Sequence, residues 1–166
     1  PVQHASDAVL KRMNRKSRRA EIERAFEMIR LKMPDAFIRT TFIVGFPGET
    51  DDDFNELMDF VENIKPDYAG FFPYSPEDGT PAARLDGAVD AKIVKNRLKA
   101  LQSAQKKNTV NRLKQLKKGE ITCFIEKPND DFEFILEGRA FFQAPDVDGK
   151  LYVTEGITAD GTGPYK

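Results

Sequence analysis

With 166 residues, 40% of them hydrophobic, the chain can build one ordinary domain or a domain with a small appendage. Its 26 basic and 27 acidic residues leave a formal net charge of -1, so bulk charge does not mark a polyanion binder and any such signal must be local. One cysteine, Cys123, excludes an internal disulfide framework and a cysteine-ligated metal site made by this chain alone, and no run approaches the roughly 18 apolar residues of a membrane helix. A reducing, cytoplasmic setting without membrane contact is expected.

The chain opens on Pro1 rather than Met, and Val2-Gln3 reads as the tail of a strand, so the natural start is expected upstream. Ser6 caps a short helix carrying Val9, Leu10 and Met13. A basic segment then leads into a second helix with Ile22, Ala25, Phe26, Ile29 and Met33 on one face, closed by Pro34. Phe42-Ile-Val44 reads as a buried strand because β-branched and aromatic residues cluster there, and Gly45, Pro47 and Gly48 punctuate it. Thr50 followed by Asp53 is a capping-box-like start, and Asp51, Asp52 and Asp53 complement the positive end of a helix dipole. The helix presents Phe54, Leu57, Met58, Val61 and Ile64 on one face until Pro66 stops it. The apolar run over residues 68–74 is then a second strand, parallel to the first, as in a βαβ unit.

Four breakers, Pro73, Pro76, Gly79 and Pro81, make residues 75–86 an ordered loop or linker. From Asp90 to Lys118 the pattern is that of one long helix, with Ile93, Leu98, Leu101, Ala104, Val110, Leu113 and Leu116 as its apolar positions. Lys92, Lys95, Arg97, Lys99, Lys106, Lys107, Arg112, Lys114, Lys117 and Lys118 face a single acid there, Asp90. Such a run is either a solvated face or an electrostatic footprint for ribosomal RNA or transfer RNA. Beyond Gly119, strands are expected over residues 121–125, 132–136 and 151–153, with a frayed end over 159–166. Alternating strands and helices in the first 75 residues indicate an α/β sheet or part of a barrel. Ligands bind such folds at the carboxyl ends of the strands, so residues 3–6, 45–49 and 74–78 should share one rim.

Three stretches, Pro1-Val-Gln-His-Ala-Ser-Asp7, Arg39-Thr-Thr-Phe-Ile-Val-Gly-Phe-Pro-Gly-Glu-Thr50 and Phe72-Pro-Tyr-Ser-Pro-Glu-Asp-Gly-Thr-Pro-Ala82, resemble the later strands of the radical SAM barrel in methylthiotransferases. Two branches compete: the RimO type, which methylthiolates an aspartate of protein twelve of the small ribosomal subunit, and the MiaB type, which modifies an adenosine in transfer RNA. His4, Arg39-Thr40-Thr41, Glu77-Asp78 and the run Gly138-Arg-Ala-Phe-Phe-Gln-Ala-Pro-Asp-Val-Asp-Gly149 resemble the RimO type. The alternatives are a MiaB-like fragment and a non-catalytic RNA- or protein-binding module.

The resemblance implies a fold: the second half of a TIM-like radical SAM barrel over residues 1–86, a long basic connecting helix over 87–119, and an incomplete TRAM-like β module over 120–166. It also implies S-adenosylmethionine as cofactor, touched by Gln3, His4, Ser6, Arg39, Thr41, Ile43, Val44, Gly45, Phe72 and Tyr74. The family's two 4Fe–4S clusters are held by cysteines this chain does not contain, so it would carry no catalytic residue and no metal ligand and be inert alone. Each site residue has a plainer reading beside the implied one. His4 is a structural hydrogen-bonding residue, Ser6 a helix cap, and Gly45 with Gly48 a turn. Phe72 and Tyr74 pack, while Arg39 binds a carboxylate only if its side chain points into the barrel.

Overall fold

The computed structural model describes residues 1–116, 119–132 and 134–154, which form two compact units, Pro1–Leu113 and Lys114–Lys166. The expected features at Lys117, Lys118 and residues 159–166 lie outside the described residues.

In the first unit α1 (Asp7–Arg12) and α2 (Arg19–Lys32) precede β1 (Arg39–Val44), α3 (Asp51–Ile64) and β2 (Tyr68–Pro73). β1 and β2 pair in parallel, with Arg39 opposite Tyr68 and Val44 opposite Pro73, which is the expected βαβ unit. On the other side of β1, the Gln3 N–H donates to Thr41 O (3.0 Å) and the Ile43 N–H to Gln3 O (2.8 Å). The expected strand at Val2-Gln3 is thus a single parallel bridge between Gln3 and Phe42.

Period-two alternation divides β1. Thr40, Phe42 and Val44 are buried, while Arg39, Thr41 and Ile43 take the other face. The buried face carries the core: Phe42 and Val44 meet Phe26 of α2, Leu57, Phe60 and Val61 of α3, and Phe71 of β2. Phe42 stacks on Phe71 at 5.5 Å between centroids and meets Phe60 edge-on at 5.9 Å. Removing a ring this deeply packed costs about 3–5 kcal/mol.

α3 starts where expected, because Thr50 and Asp53 exchange side-chain and backbone bonds in a capping box. α2 departs from expectation. Only Phe26 is buried and Met33 is 55% exposed; Ile22 packs partly against the core, while Ile22, Ala25 and Ile29 border an open cavity of about 310 Å³.

A 3-10 turn (Pro81–Arg84) interrupts the loop after β2, and α4 (Ala91–Leu116) follows. The expected apolar stripe of α4 is only partly right. Leu101 and Ala104 are buried, but Ile93 and Val110 are 44% and 39% exposed, and the polar residues Arg97 and Gln105 are buried in their stead. The Gln105 amide donates to Pro66 O (2.9 Å) and Asp67 O (3.2 Å), and Arg112 pairs with Asp67 across 3.2 Å. Among the eight described basic residues of this segment, Arg97 and Arg112 belong to intramolecular ion pairs rather than to a solvated stripe.

The second unit holds the antiparallel sheet β3 (Cys123–Pro128), β4 (Leu136–Ala140) and β5 (Leu151–Val153) in the order β3-β4-β5. The strand expected over 132–136 falls later. The Asn129 side chain accepts from the N–H groups of Asp131 and Phe132, so the turn runs on and leaves Phe134 81% exposed. Gly138 then occupies the tightest point of β4, where a Cβ would stand 2.3 Å from Phe124 O. Among the described residues no helix is long and apolar enough to cross a membrane, and no group of three or more His, Cys, Asp or Glu is placed to hold a metal ion.

Candidate functional site

Two surfaces meet at the carboxyl end of the parallel strands. The first is the sheet face turned away from the helices. Register puts Arg39 beside Tyr68, Thr41 beside Gly70 and Ile43 beside Phe72, so these six share one face, with Phe72 57% exposed. Alternation thus settles the side of Arg39: its guanidinium lies 4.4 Å over the Tyr68 ring, away from the helix-packed core. Arg39 nevertheless opens β1, four residues before Ile43, about 13 Å from the rim at the rise of a strand. The structure does not bring it to the carboxyl end, where Ile43 and Phe72 stand. Val44 is also set apart, since its side chain is fully buried on the opposite face.

The second surface is the rim itself, and it is held by buried polar groups. His4 is fully buried; its Nδ1 accepts from the Ser6 N–H (3.0 Å) and its Nε2 lies 3.6 Å from Glu49 Oε2. The same Glu49 oxygen accepts from the N–H groups of Gly45 (2.7 Å) and Phe46 (3.3 Å), while Oε1 accepts from Arg97 Nη1 (2.6 Å). Ser6 caps α1 and donates its hydroxyl to Asp53 Oδ1 (2.5 Å), whose Oδ2 accepts from Thr50 N–H (2.9 Å) and Oγ1 (2.8 Å). Burial pushes the Asp53 carboxyl up, but the hydrogen bonds from Ser6 and Thr50 outweigh it and hold the group below the usual carboxylate value.

His4 and Ser6 therefore sit together at the rim, as expected, but in their structural roles. The ion pair of Glu49 with Arg97, and the Ser6 hydroxyl bond to the cap residue Asp53, are not visible in the sequence. The signal for Arg97 was its place in the helical spacing Val94, Arg97, Leu101 and Ala104, where a charge on an apolar stripe implies a buried partner.

Gly45 turns at φ 78° with Val94 of α4 against it, so the close approach that glycine permits is used by a helix. Gly45, Tyr74, Ala82, Val94, Lys95 and Leu98 border a cavity of about 560 Å³ on the helix side of the rim. Tyr74 extends the ladder through its N–H to Val44 O (2.8 Å) and packs edge-on against Phe46, 5.0 Å between centroids. Phe72 and Tyr74 are thus separated, one on the open sheet face and one at the cavity.

A family model described as the radical SAM superfamily matches residues 1–61. Among curated proteins, those named ribosomal protein uS12 methylthiotransferase RimO are similar to nearly the whole chain. The one from Geobacter sulfurreducens is 42% identical over 94% of this chain, that from Geotalea uraniireducens 44% over 94%, and that from Alkaliphilus oremlandii 44% over 92%. The chain spans 35% of the length of each.

Radical SAM proteins as a class use S-adenosylmethionine and iron–sulfur clusters, and the two groups fare differently here. The open face offers an apolar, aromatic floor at Ile43 and Phe72 and a hydroxyl at Thr41, which suits a nucleoside. One cysteine, buried in β3, does not suit a cluster that needs several thiolates. Over nearly all of its length, then, the chain is similar to the RimO-type methylthiotransferases, and its first 61 residues match the radical SAM superfamily.

Proposed function

We propose that this chain is the cofactor-side portion of a methylthiotransferase acting on ribosomal protein uS12, an aspartate side chain being the modified group. Residues 1–86 are read as the later half of the barrel, 87–119 as the helix that follows it, and 120–166 as an incomplete TRAM-like module. The single observation that carries the reading is the 42–44% identity to three proteins of that name over 92–94% of the chain. S-adenosylmethionine would supply the radical and the methyl group, and the chain's own part is to bind and orient its adenosine. Gln3, Thr41, Ile43 and Phe72 would do so on the open face, with the turn at Gly45 closing the rim. His4 and Ser6 support that rim from behind. The two 4Fe–4S clusters of such an enzyme would take their cysteines from elsewhere, and the chain alone would be inert. The setting would be the cytoplasm, with a small-subunit ribosomal protein as partner.

The test is a chimera in which this chain replaces the matching segment of the Geobacter sulfurreducens protein. Mass spectrometry should find a methylthio group on uS12 and none on transfer RNA. Modification of transfer RNA instead, or of neither substrate by a chimera that still cleaves S-adenosylmethionine, would overturn the reading.

A further inference from the structure

We propose that Arg97, a residue of α4 remote from the open sheet face, is a positioning residue for the cofactor rim and acts through Glu49. The inference rests on the reading of that face as the adenosine site. Glu49 is the sole carboxylate that the described hydrogen bonds place on the N–H groups of Gly45 and Phe46, the turn that immediately follows Ile43 and Val44. Its side chain has no exposure, so its charge needs a buried partner. Arg97, 6% exposed, is that partner: Nη1 meets Glu49 Oε1 at 2.6 Å and Nη2 meets Asp51 Oδ1 at 2.6 Å. The guanidinium also lies 5.2 Å over the Phe54 ring, which fixes its plane.

His4 lies beside the pair. Because His4 Nδ1 accepts from the Ser6 N–H, the neutral ring carries its hydrogen on Nε2, which is turned to Glu49 Oε2 at 3.6 Å. One carboxylate thereby ties the turn after β1 to the first turns of α4, with the buried His4 ring beside it but not hydrogen-bonded to it. Loss of Arg97 leaves a buried carboxylate without its cation, and the groups released are the two N–H donors of the rim. Asp51 is 89% exposed on its side chain and loses little, since water replaces the guanidinium there.

The experiment has two arms. In the full chain, amide hydrogen exchange is followed by NMR for wild type, Arg97→Met, Arg97→Lys and Glu49→Gln. Arg97→Met should lower protection at Gly45 and Phe46 by about tenfold or more while leaving Phe42 and Phe60 unchanged, and Arg97→Lys should restore part of it. Unchanged protection at Gly45 and Phe46, or an equal fall at all four amides, would overturn the coupling. In the Geobacter chimera, Arg97→Met should raise KM for S-adenosylmethionine about tenfold with kcat within about threefold, measured on cofactor cleavage. A local loss of protection without a change in that KM would overturn the cofactor role. A wild-type chimera that cleaves cofactor but leaves uS12 unmodified would sink the functional reading while both readouts remain measurable.

Discussion

A Cβ on Gly45 would stand 2.4 Å from Cγ2 of Val94, and Gly45 holds φ at 78°. Gly45→Ala therefore meets two costs, left-handed backbone strain and overpacking against α4, which together should destabilise the first unit by about 2–4 kcal/mol. Adding Val94→Ala removes the steric part and leaves the backbone part, about 1–2 kcal/mol. Urea unfolding of the three proteins checks this; a Gly45→Ala variant as stable as wild type would show that α4 yields freely at the rim.

Acid should loosen the same rim through Asp53. Its carboxyl is held below its ordinary value in the folded chain, so it contributes stability above that ordinary value and loses it as pH falls through the folded one. Asp53→Asn also spoils the capping box, and a loss of about 1–2 kcal/mol is expected near neutral pH. The gap between the two proteins should narrow in urea melts as pH falls below the ordinary carboxylate value of 3.8, because the stabilising charge is lost there. A gap that stays constant with pH would mean that the shape of Asp53, not its charge, does the work.

The rim shows which features the sequence displayed. β1, α3 and β2 were legible because their signals are local: Thr50 and Asp53 mark a cap, and β-branched and aromatic residues cluster at Phe42-Ile-Val44. Capping of α1 by Ser6 was legible for the same reason. The docking of α4 was not, because it depends on Arg97 finding Glu49 48 residues away and Gln105 finding Pro66 39 away. Nor could the side of Arg39 be read, since it is decided by which face of β1 the helices cover. In the second unit Phe132 and Phe134 imitate a strand, whereas Glu137 and Gly138, poor strand formers, lie in the real one. β4 runs so close to β3 that a Cβ on Gly138 would stand 2.3 Å from Phe124 O, a tertiary fact.

Cofactor affinity offers a third test. On the proposed reading the open face takes adenosine, but the chain has one cysteine and so lacks the thiolates of a cluster that would chelate the amino acid end. Isothermal titration of S-adenosylmethionine into the chain alone should give a Kd no tighter than about 1 mM, equivalent to roughly 4 kcal/mol. Micromolar binding would contradict this division of labour and move the amino acid end onto residues of this chain.

The last prediction concerns the partner. Asp146 and Asp148 could both meet a basic protein loop, but Asp148 Oδ2 accepts the Ala144 N–H at 2.7 Å and so shapes its own turn. Reversing Asp148 would break that turn, which makes Asp146 the cleaner probe. It holds φ at 59°, a conformation that asparagine tolerates, so Asp146→Asn removes the charge with little strain. Among the basic residues of α4, Arg112 is already engaged with Asp67 and with Pro34 O (2.9 Å), whereas Lys106, Lys107 and Lys114 are exposed. In the chimera, Asp146→Asn should lower modification of uS12 more than Lys106→Gln with Lys107→Gln does, and activity should depend weakly on salt. Binding to phosphate would behave differently, weakening steeply with salt as counterions are released. Full activity after the Asp146 change, with loss after the lysine changes and a steep salt dependence, would instead make a nucleic acid the partner.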